Sequence, residues 1–214
     1  MSDFKYLWAS SRPSVRSLIA TSTVCGRTVW MFDEIRLLKS QRLGKSELTL
    51  LRNRLVDAMK KEFGNDQKRV NHSLLVLEHA EGILRQEGGD PGVVIAAALL
   101  HDIGIQEAER KYGSSAGRYQ EIEGPPIARR IMMAIGLDAA TVDHVCRIVG
   151  SHHSACSINS LEFRILWDAD WLVNIVDEFA GAEKNWLKRM IDKIFKTKAG
   201  KRRAYELFIL EESC

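Results

Sequence analysis

The segment PGVVIAAALLHDIGI, Pro91 to Ile105, carries an unbroken apolar run from Val93 to Leu100. Pro91 suits the first turn of a helix, where its missing N–H costs nothing, and Gly104 predicts a C-terminal stop. A helix that is apolar on every side lies in the middle of a domain. This one ends in His101 and Asp102, two polar side chains at the mouth of an oily core. A carboxylate buried there needs a hydrogen-bonded partner, an opposite charge or a cation. Neutral imidazole beside carboxylate is a common metal-ligand pair. A helix C-terminus with a solvated Asp and a His tuned by the macrodipole is the plainer reading. For this segment alone, both stand.

On either side of that helix the pattern is helical throughout. From Met31 to Phe63, the residues Phe32, Ile35 and Leu38 recur at helical spacing. Gly44 then interrupts and Ser46 is placed to cap a helix with Leu48, Leu51, Leu55 and Met59 on one stripe. Asp66 can cap a helix carrying Val70, Leu74, Leu77, Ala80, Ile83 and Leu84, closed by Gly88-Gly89. Ile105 to Gly124 is mixed and glycine-punctuated, a short helix with an irregular loop suited to substrate contacts. Pro125-Pro126 predicts the start of a further helix ending at Gly136, and Asp138 caps one that ends before His152-His153. A long helix follows over about Ser160 to Phe179, then a basic segment, Lys184 to Leu210, as one or two amphipathic helices. Strand signals and repeats are nearly absent, so the expected class is all-α.

The 214 residues suit one domain with an appendage. With 31 basic and 28 acidic residues the net charge is only +3, and no long basic tract runs through the chain, so no nucleic-acid polymer is expected as a partner. Cys25, Cys146, Cys156 and Cys214 are scattered, with no C-x-x-C pair. They read as free thiols in a reducing cytoplasm rather than a disulfide frame or zinc knuckle. No apolar run approaches the ~20 residues that span a bilayer, so no membrane partner is expected. Residues 1–30 lack clean periodicity, and arginines break their apolar pieces. They are expected to form a poorly ordered extension upstream of a helical domain over 31–214.

Several polar residues interrupt the apolar helices. His72 sits early in its helix, and Asp168 and Asp170 lie within FRILWDADWLVNIVDEF. Two residues apart means about 200° around a helix, so the two acids cannot easily share one ion. Asp170 has Asn174 one turn later on its own face, available to orient it or a substrate. Geometry alone leaves the choice between the acids open. His72, His101-Asp102 and one of these acids come from three apolar helices, and one divalent cation would satisfy all four.

On these residues the chain resembles the HD-domain metal-dependent phosphohydrolases, whose pattern is H…HD…D. Here it reads His72, His101-Asp102 and an Asp of Trp167-Asp168-Ala169-Asp170. The family's last Asp commonly stands as A-D-x-L with Asn four residues on, which Ala169-Asp170-Trp171-Leu172-Val173-Asn174 matches. The resemblance therefore implies Asp170 as the ligand, with Asp168 as the runner-up. It covers roughly residues 50 to 180 and implies an HD-domain helical bundle, with the C-terminal helices of 184–210 appended.

Subgroups with two metals use extra histidines. Where some have His-Gly-Pro this chain has Glu123-Gly124-Pro125, and where they have His-His it has His152-His153. Glu123, His152 and His153 are thus implied as ligands of a second ion. Ile105 stands where the cyclic-dinucleotide phosphodiesterase branch has the Lys of HDIGK, the GYP motif of that branch is missing, and so is the acidic pair of the alarmone hydrolases. Neither activity is implied. What the resemblance implies is a cytosolic phosphomonoesterase or phosphodiesterase acting on a small phosphate ester, nucleotides especially. His101 and Asp102 stand at its catalytic centre, with Mn²⁺, Fe or Mg²⁺ as one ion, a second being allowed. The activated hydroxide would attack phosphorus in line with the leaving oxygen. Arg69 and Arg118 are candidate phosphate clamps, since guanidinium grips two phosphate oxygens, and Asn174 a third substrate contact. The alternatives are a non-catalytic metal- or nucleotide-binding sensor and a di-iron HD oxygenase. The oligomeric state, a homodimer included, stays open.

Overall fold

The computed structural model describes residues 44–155 and 158–210; the expected N-terminal extension lies outside them. Every regular element among the described residues is helical. In chain order these are α1 Lys45–Phe63, α2 Gln67–Glu87, α3 Pro91–Leu100, α4 Ile105–Tyr112, α5 Gly117–Ile135, α6 Ala139–Val149, α7 Leu161–Glu178, α8 Lys184–Ile194 and α9 Lys198–Tyr205, followed by a π-helical turn, Glu206–Leu210.

Helix α3 is the axis of the bundle. Asp90 caps it, its Oδ1 accepting from the N–H groups of Gly92 and Val93 at 2.8 and 3.2 Å, and every residue from Gly92 to Leu100 is buried. Ten residues are too few for a helix to hold in water by propensity alone. Packing supplies the difference, since each large side chain buried there contributes roughly 1.5–3 kcal/mol. Helices α1, α2, α6 and α7 pack around α3, and α2 also packs along α7. The polar residues that end α3 and those that interrupt α2 and α7 are therefore brought to one end of a shared core.

Side-chain caps set the other boundaries much as the sequence predicts. Asp66, Asp138 and Ser160 each accept a backbone N–H of the first turn that follows them. Helix α1 starts two residues earlier than a Ser46 cap would place it, with the Gly44 N–H donating to Glu47 Oε2 at 2.7 Å. Asn65, Asp66 and the Gly64 backbone at φ 58° make the turn between α1 and α2.

The larger departure is α5. The sequence predicts a helix starting at Pro125-Pro126, yet α5 begins at Gly117 and runs through both prolines. Prolines remove two in-helix donors, and packing of α5 against α6 offsets the loss. Cys146 Sγ lies 3.4 Å from the Pro125 carbonyl, and Gly150 packs against Pro125 Cγ so closely that a Cβ there would sit 3.2 Å away. Gly104 also differs from its expected role. Its backbone is right-handed (φ −82°), so it is not a left-handed stop. It is small because α5 crosses it: a Cβ on Gly104 would lie 2.5 Å from the Gly124 nitrogen and 2.8 Å from the Gln120 carbonyl.

Two glycine substitutions should therefore have opposite signs. Gly104→Ala is expected to cost about 1–3 kcal/mol by overpacking. Gly82→Ala, in the interior of α2 with no atom nearer than 3.8 Å to its added methyl, should stabilise by about 0.5–1 kcal/mol. Urea unfolding of both variants beside wild type checks the pair.

Candidate metal centre

The turn after α3 presents His101 and Asp102, α2 presents His72, and α7 presents Asp170. Their ring and carboxylate atoms converge. His72 Nε2 lies 3.2 Å from His101 Nε2 and 3.1 Å from Asp170 Oδ1. His101 Nε2 is 3.4 Å from Asp102 Oδ2 and 3.5 Å from Asp170 Oδ1. His72 Nε2 to Asp102 Oδ2 is 3.6 Å. Asp102 has a second set of neighbours: its Oδ1 is 3.3 Å from His152 Nε2, and the His152 and His153 rings sit 4.0 Å apart, centroid to centroid. Two groups of candidate metal donors result, His72–His101–Asp102 and Asp102–His152–His153, each with its ligand atoms within 4.8 Å of one another. Asp102 belongs to both.

Backbone carbonyls fix the rings. His101 Nδ1 is 2.9 Å from the Ala98 oxygen, and His152 Nδ1 is 2.7 Å from the Val149 oxygen. Only an N–H satisfies a carbonyl, so in each neutral ring Nε2 carries the lone pair. Those lone pairs face carboxylate oxygens and, for His101, another imidazole nitrogen. Acceptors do not face acceptors in a buried site without positive charge between them. The ionisation tendencies agree. Burial of the fully enclosed His101 ring disfavours its charged form, yet Asp102 and Asp170 outweigh this and hold it well above the usual imidazole range. Burial likewise acts against the Asp102 and Asp170 carboxylates, and the surrounding imidazoles hold both below their ordinary values. A divalent cation would meet the same demand, held by these mixed imidazole and carboxylate donors.

Neighbouring residues hold the donors in place. Asn174 Nδ2 donates to Asp170 Oδ1 at 2.9 Å, so its part is to orient that carboxylate. Glu121 Oε1 accepts from the His153 and Ser154 N–H groups at 3.0 and 2.8 Å, pinning the turn that carries His152. Gly117 lets α5 lie on the His153 ring, where an added Cβ would be 2.6 Å away. Sequence reasoning missed Glu121 and Gly117, because an exposed acid and a loop glycine carry no signal until the tertiary contact is known.

The structure separates the two acids of α7. Asp168 is fully buried and turned away from the imidazoles. It accepts from the N–H groups of Lys196 and Thr197 and from the Thr197 hydroxyl, each at 2.7 Å. A Cβ on Gly200 would collide with its carboxylate. Burial pushes the Asp168 carboxyl up to about 6, against the pull of these donors. Asp168 thus fastens the start of α9 to the bundle.

Three expected assignments need correction on geometry. Glu123 joins neither donor group: Lys111 Nζ is 2.6 Å from its Oε2, and the Tyr112 hydroxyl donates to Oε1 at 2.9 Å. Those contacts hold its carboxyl below the ordinary value. Arg69 is no phosphate clamp in this arrangement, since its guanidinium is taken by Asp66 at 2.5 Å and Glu109 at 2.6 Å. Asn174 donates to Asp170 Oδ1, where a substrate contact was expected of it. Arg118 is exposed, lies 4.6 Å over the Tyr119 ring and donates to its hydroxyl at 2.8 Å. Tyr119 in turn stacks on Tyr112 at 4.2 Å.

Comparison with protein-family models matches residues 69–175 to the family described as HD domain, half of the 214 residues. The chain belongs to the HD domain family. Among solved structures it is similar to the crystal structure of a predicted HD superfamily hydrolase from an uncultured Thermotogales bacterium. The two share 25% identity at a TM-score of 0.52, over 71% of this chain and 82% of that one. No curated protein matches. Among the described residues no helix is long and apolar enough to cross a membrane.

Asp168→Ala is expected to destabilise the fold by at least about 2 kcal/mol, because it strands buried donors. Thr197→Val, which removes one of them, should cost about 1 kcal/mol. Denaturant unfolding gives both magnitudes, and amide exchange should show α9 losing protection first in Asp168→Ala.

Proposed function

We propose that this chain is a cytosolic metal-dependent phosphohydrolase acting on a small phosphate ester, a nucleotide in particular. The observation that carries the proposal is the meeting of His72, His101, Asp102 and Asp170 from three helices, lone pairs toward carboxylates, at the end of an apolar core. These four would hold one divalent ion, and Asp102, His152 and His153 a second. Such ions supply Lewis-acid polarisation of a water and of the phosphoryl oxygens.

The protein's own part is to hold donors and substrate in register. The carbonyls of Ala98 and Val149 keep Nε2 of His101 and His152 aimed at Asp102, so neither ring loses free energy to reorganisation when the site is charged. Asn174 keeps Asp170 Oδ1 on the His72 side. His101 is 1% exposed, which suits a ligand rather than a proton shuttle to solvent. Arg118 stands one residue after the glycine that lies on the His153 ring. From there its guanidinium would take phosphate oxygens on the open side of the second group. The Tyr112–Tyr119 stack beside it offers an aromatic surface of the sort nucleobases stack on.

Metal content and manganese-dependent hydrolysis of an aryl phosphate, for wild type beside His101→Ala and Asp170→Ala, test this reading. Wild type should hold tightly bound divalent metal and lose turnover on chelation, recovering it with Mn²⁺. Both variants should lose bound metal and fall in activity by at least about 100-fold. Metal-loaded protein that stays inert across a nucleotide panel would replace the enzyme with a sensor. A mixed-valent iron pair with C–C or C–P cleavage would replace it with an oxygenase.

A further inference from the structure

The basic residues of this chain are unevenly placed. Between Lys184 and Glu206 stand nine of them against two acids, so the rest of the chain is net acidic. Helix α8 carries four, Lys184, Lys188, Arg189 and Lys193. In helical projection Trp186, Leu187, Met190, Ile191 and Ile194 share one arc of α8. Lys184 and Lys188 lie along one edge of that arc, Arg189 and Lys193 along the other. An apolar arc of this width is expected to be buried. Only Ile191 of the five is, and Trp186 is 36% exposed. Among the described residues no acid pairs with Lys188, Arg189 or Lys193.

The arc borders an open groove of about 510 Å³, lined by Ile175, Val176, Phe179, Leu187, Leu207 and Phe208. Trp186 extends this surface, meeting the Phe179 ring edge-on at 5.1 Å, and Val176 is 59% exposed. Exposed apolar surface rimmed by charge marks a docking site, and its chemistry selects what docks. The surrounding cations call for an anionic partner. A nucleic acid has no aliphatic surface to fill such a groove, whereas acyl chains beneath a layer of headgroup phosphates match both the groove and its rim. Helix α8 is also fastened in place: Ile191 is fully buried, and Trp167 Nε1 donates to the Ile194 carbonyl at 3.1 Å. It therefore meets a partner as a fixed face, not as a helix that leaves the bundle to enter another protein's groove.

We propose that α8 and the adjoining groove form a peripheral docking face for a bilayer surface rich in anionic phospholipid. Trp186 and Val176 enter the boundary between headgroups and acyl chains, and Lys188, Arg189 and Lys193 take the headgroup phosphates. The face lies on a membrane and does not span one, which agrees with the absence, among the described residues, of a helix fit to cross a bilayer. It goes beyond the expectation of no membrane partner, which counted only spanning segments. It is independent of the metal-centre reading, since no residue of either donor group lines the groove.

Flotation of the full chain with phosphatidylcholine vesicles, with and without phosphatidylserine, tests the docking face. Wild type should float with the anionic vesicles and stay behind with the neutral ones. The double substitution Lys188→Gln and Arg189→Gln should weaken binding about 30-fold, at roughly a factor of five for each basic residue near an anionic surface. Val176→Ser should weaken it about 10-fold, by the apolar area withheld from the bilayer. Both variants should unfold thermally as wild type does, since neither alters a buried side chain or an ion pair. No flotation with either vesicle, or equal flotation with both, would overturn the proposal. So would vesicle binding that Val176→Ser leaves unchanged and single-stranded RNA displaces, the behaviour of a charged surface for polyanions. A concentration-dependent dimer in place of flotation, dissociated by Val176→Ser in analytical ultracentrifugation, would assign the face to a second copy of the chain instead.

Discussion

The arrangement turns on compensating negative charge inside an apolar core. Asp102 sits where α3 runs out, touching His101, His72 and His152 at 3.3–3.6 Å, and Asp170 reaches the imidazoles of His72 and His101 from α7. Unpaired, a carboxylate there would cost several kcal/mol. Among the described residues no lysine or arginine is paired with either carboxylate. The protein supplies rings whose Nδ1 protons are already committed to backbone carbonyls, leaving lone pairs that add to the demand for positive charge. The two carboxylates hold His101 well above the usual imidazole range against its burial.

That demand explains the rest of the scaffold near the site. Helix α3 can end in two polar residues because four helices pack its apolar length, anchoring the turn independently of what the turn binds. Glycines at 104, 117 and 124 let α5 approach until backbone touches backbone. The same tight approach carries α5 straight through Pro125 and Pro126. Burial of Gly124, Ala128, Ile131 and Met132 outweighs the backbone bonds that the prolines forgo.

Much of this could be read from residue order. Cap residues before apolar stripes located α2 and α6, a long apolar pattern located α7, and the polar end of an all-apolar helix pointed to the candidate site. Other features could not. Spacing put Asp168 and Asp170 on opposite sides of α7 but could not say which side faced imidazole. That depends on Lys196 and Thr197, far along the chain, folding back to satisfy Asp168. Glu123 looked like a ligand by its place in a motif. Its partners, Lys111 and Tyr112, belong to the preceding helix, and their role follows from how α4 packs on α5. The prolines misled for a related reason: local rules set the cost of a break without saying what packing returns.

Histidine, aspartate and glutamate announce themselves because their burial is costly and their chemistry distinctive. Only the accounting of buried donors and acceptors separates Asp168 from Asp170, one with its donors supplied by the chain and the other grouped with lone pairs that share its need. In this bundle a polar atom's part follows from whether the fold completes its partners. Asp168, Glu123 and Arg69 are completed by the fold, whereas Asp102 and Asp170 are grouped with the imidazoles of His72 and His101.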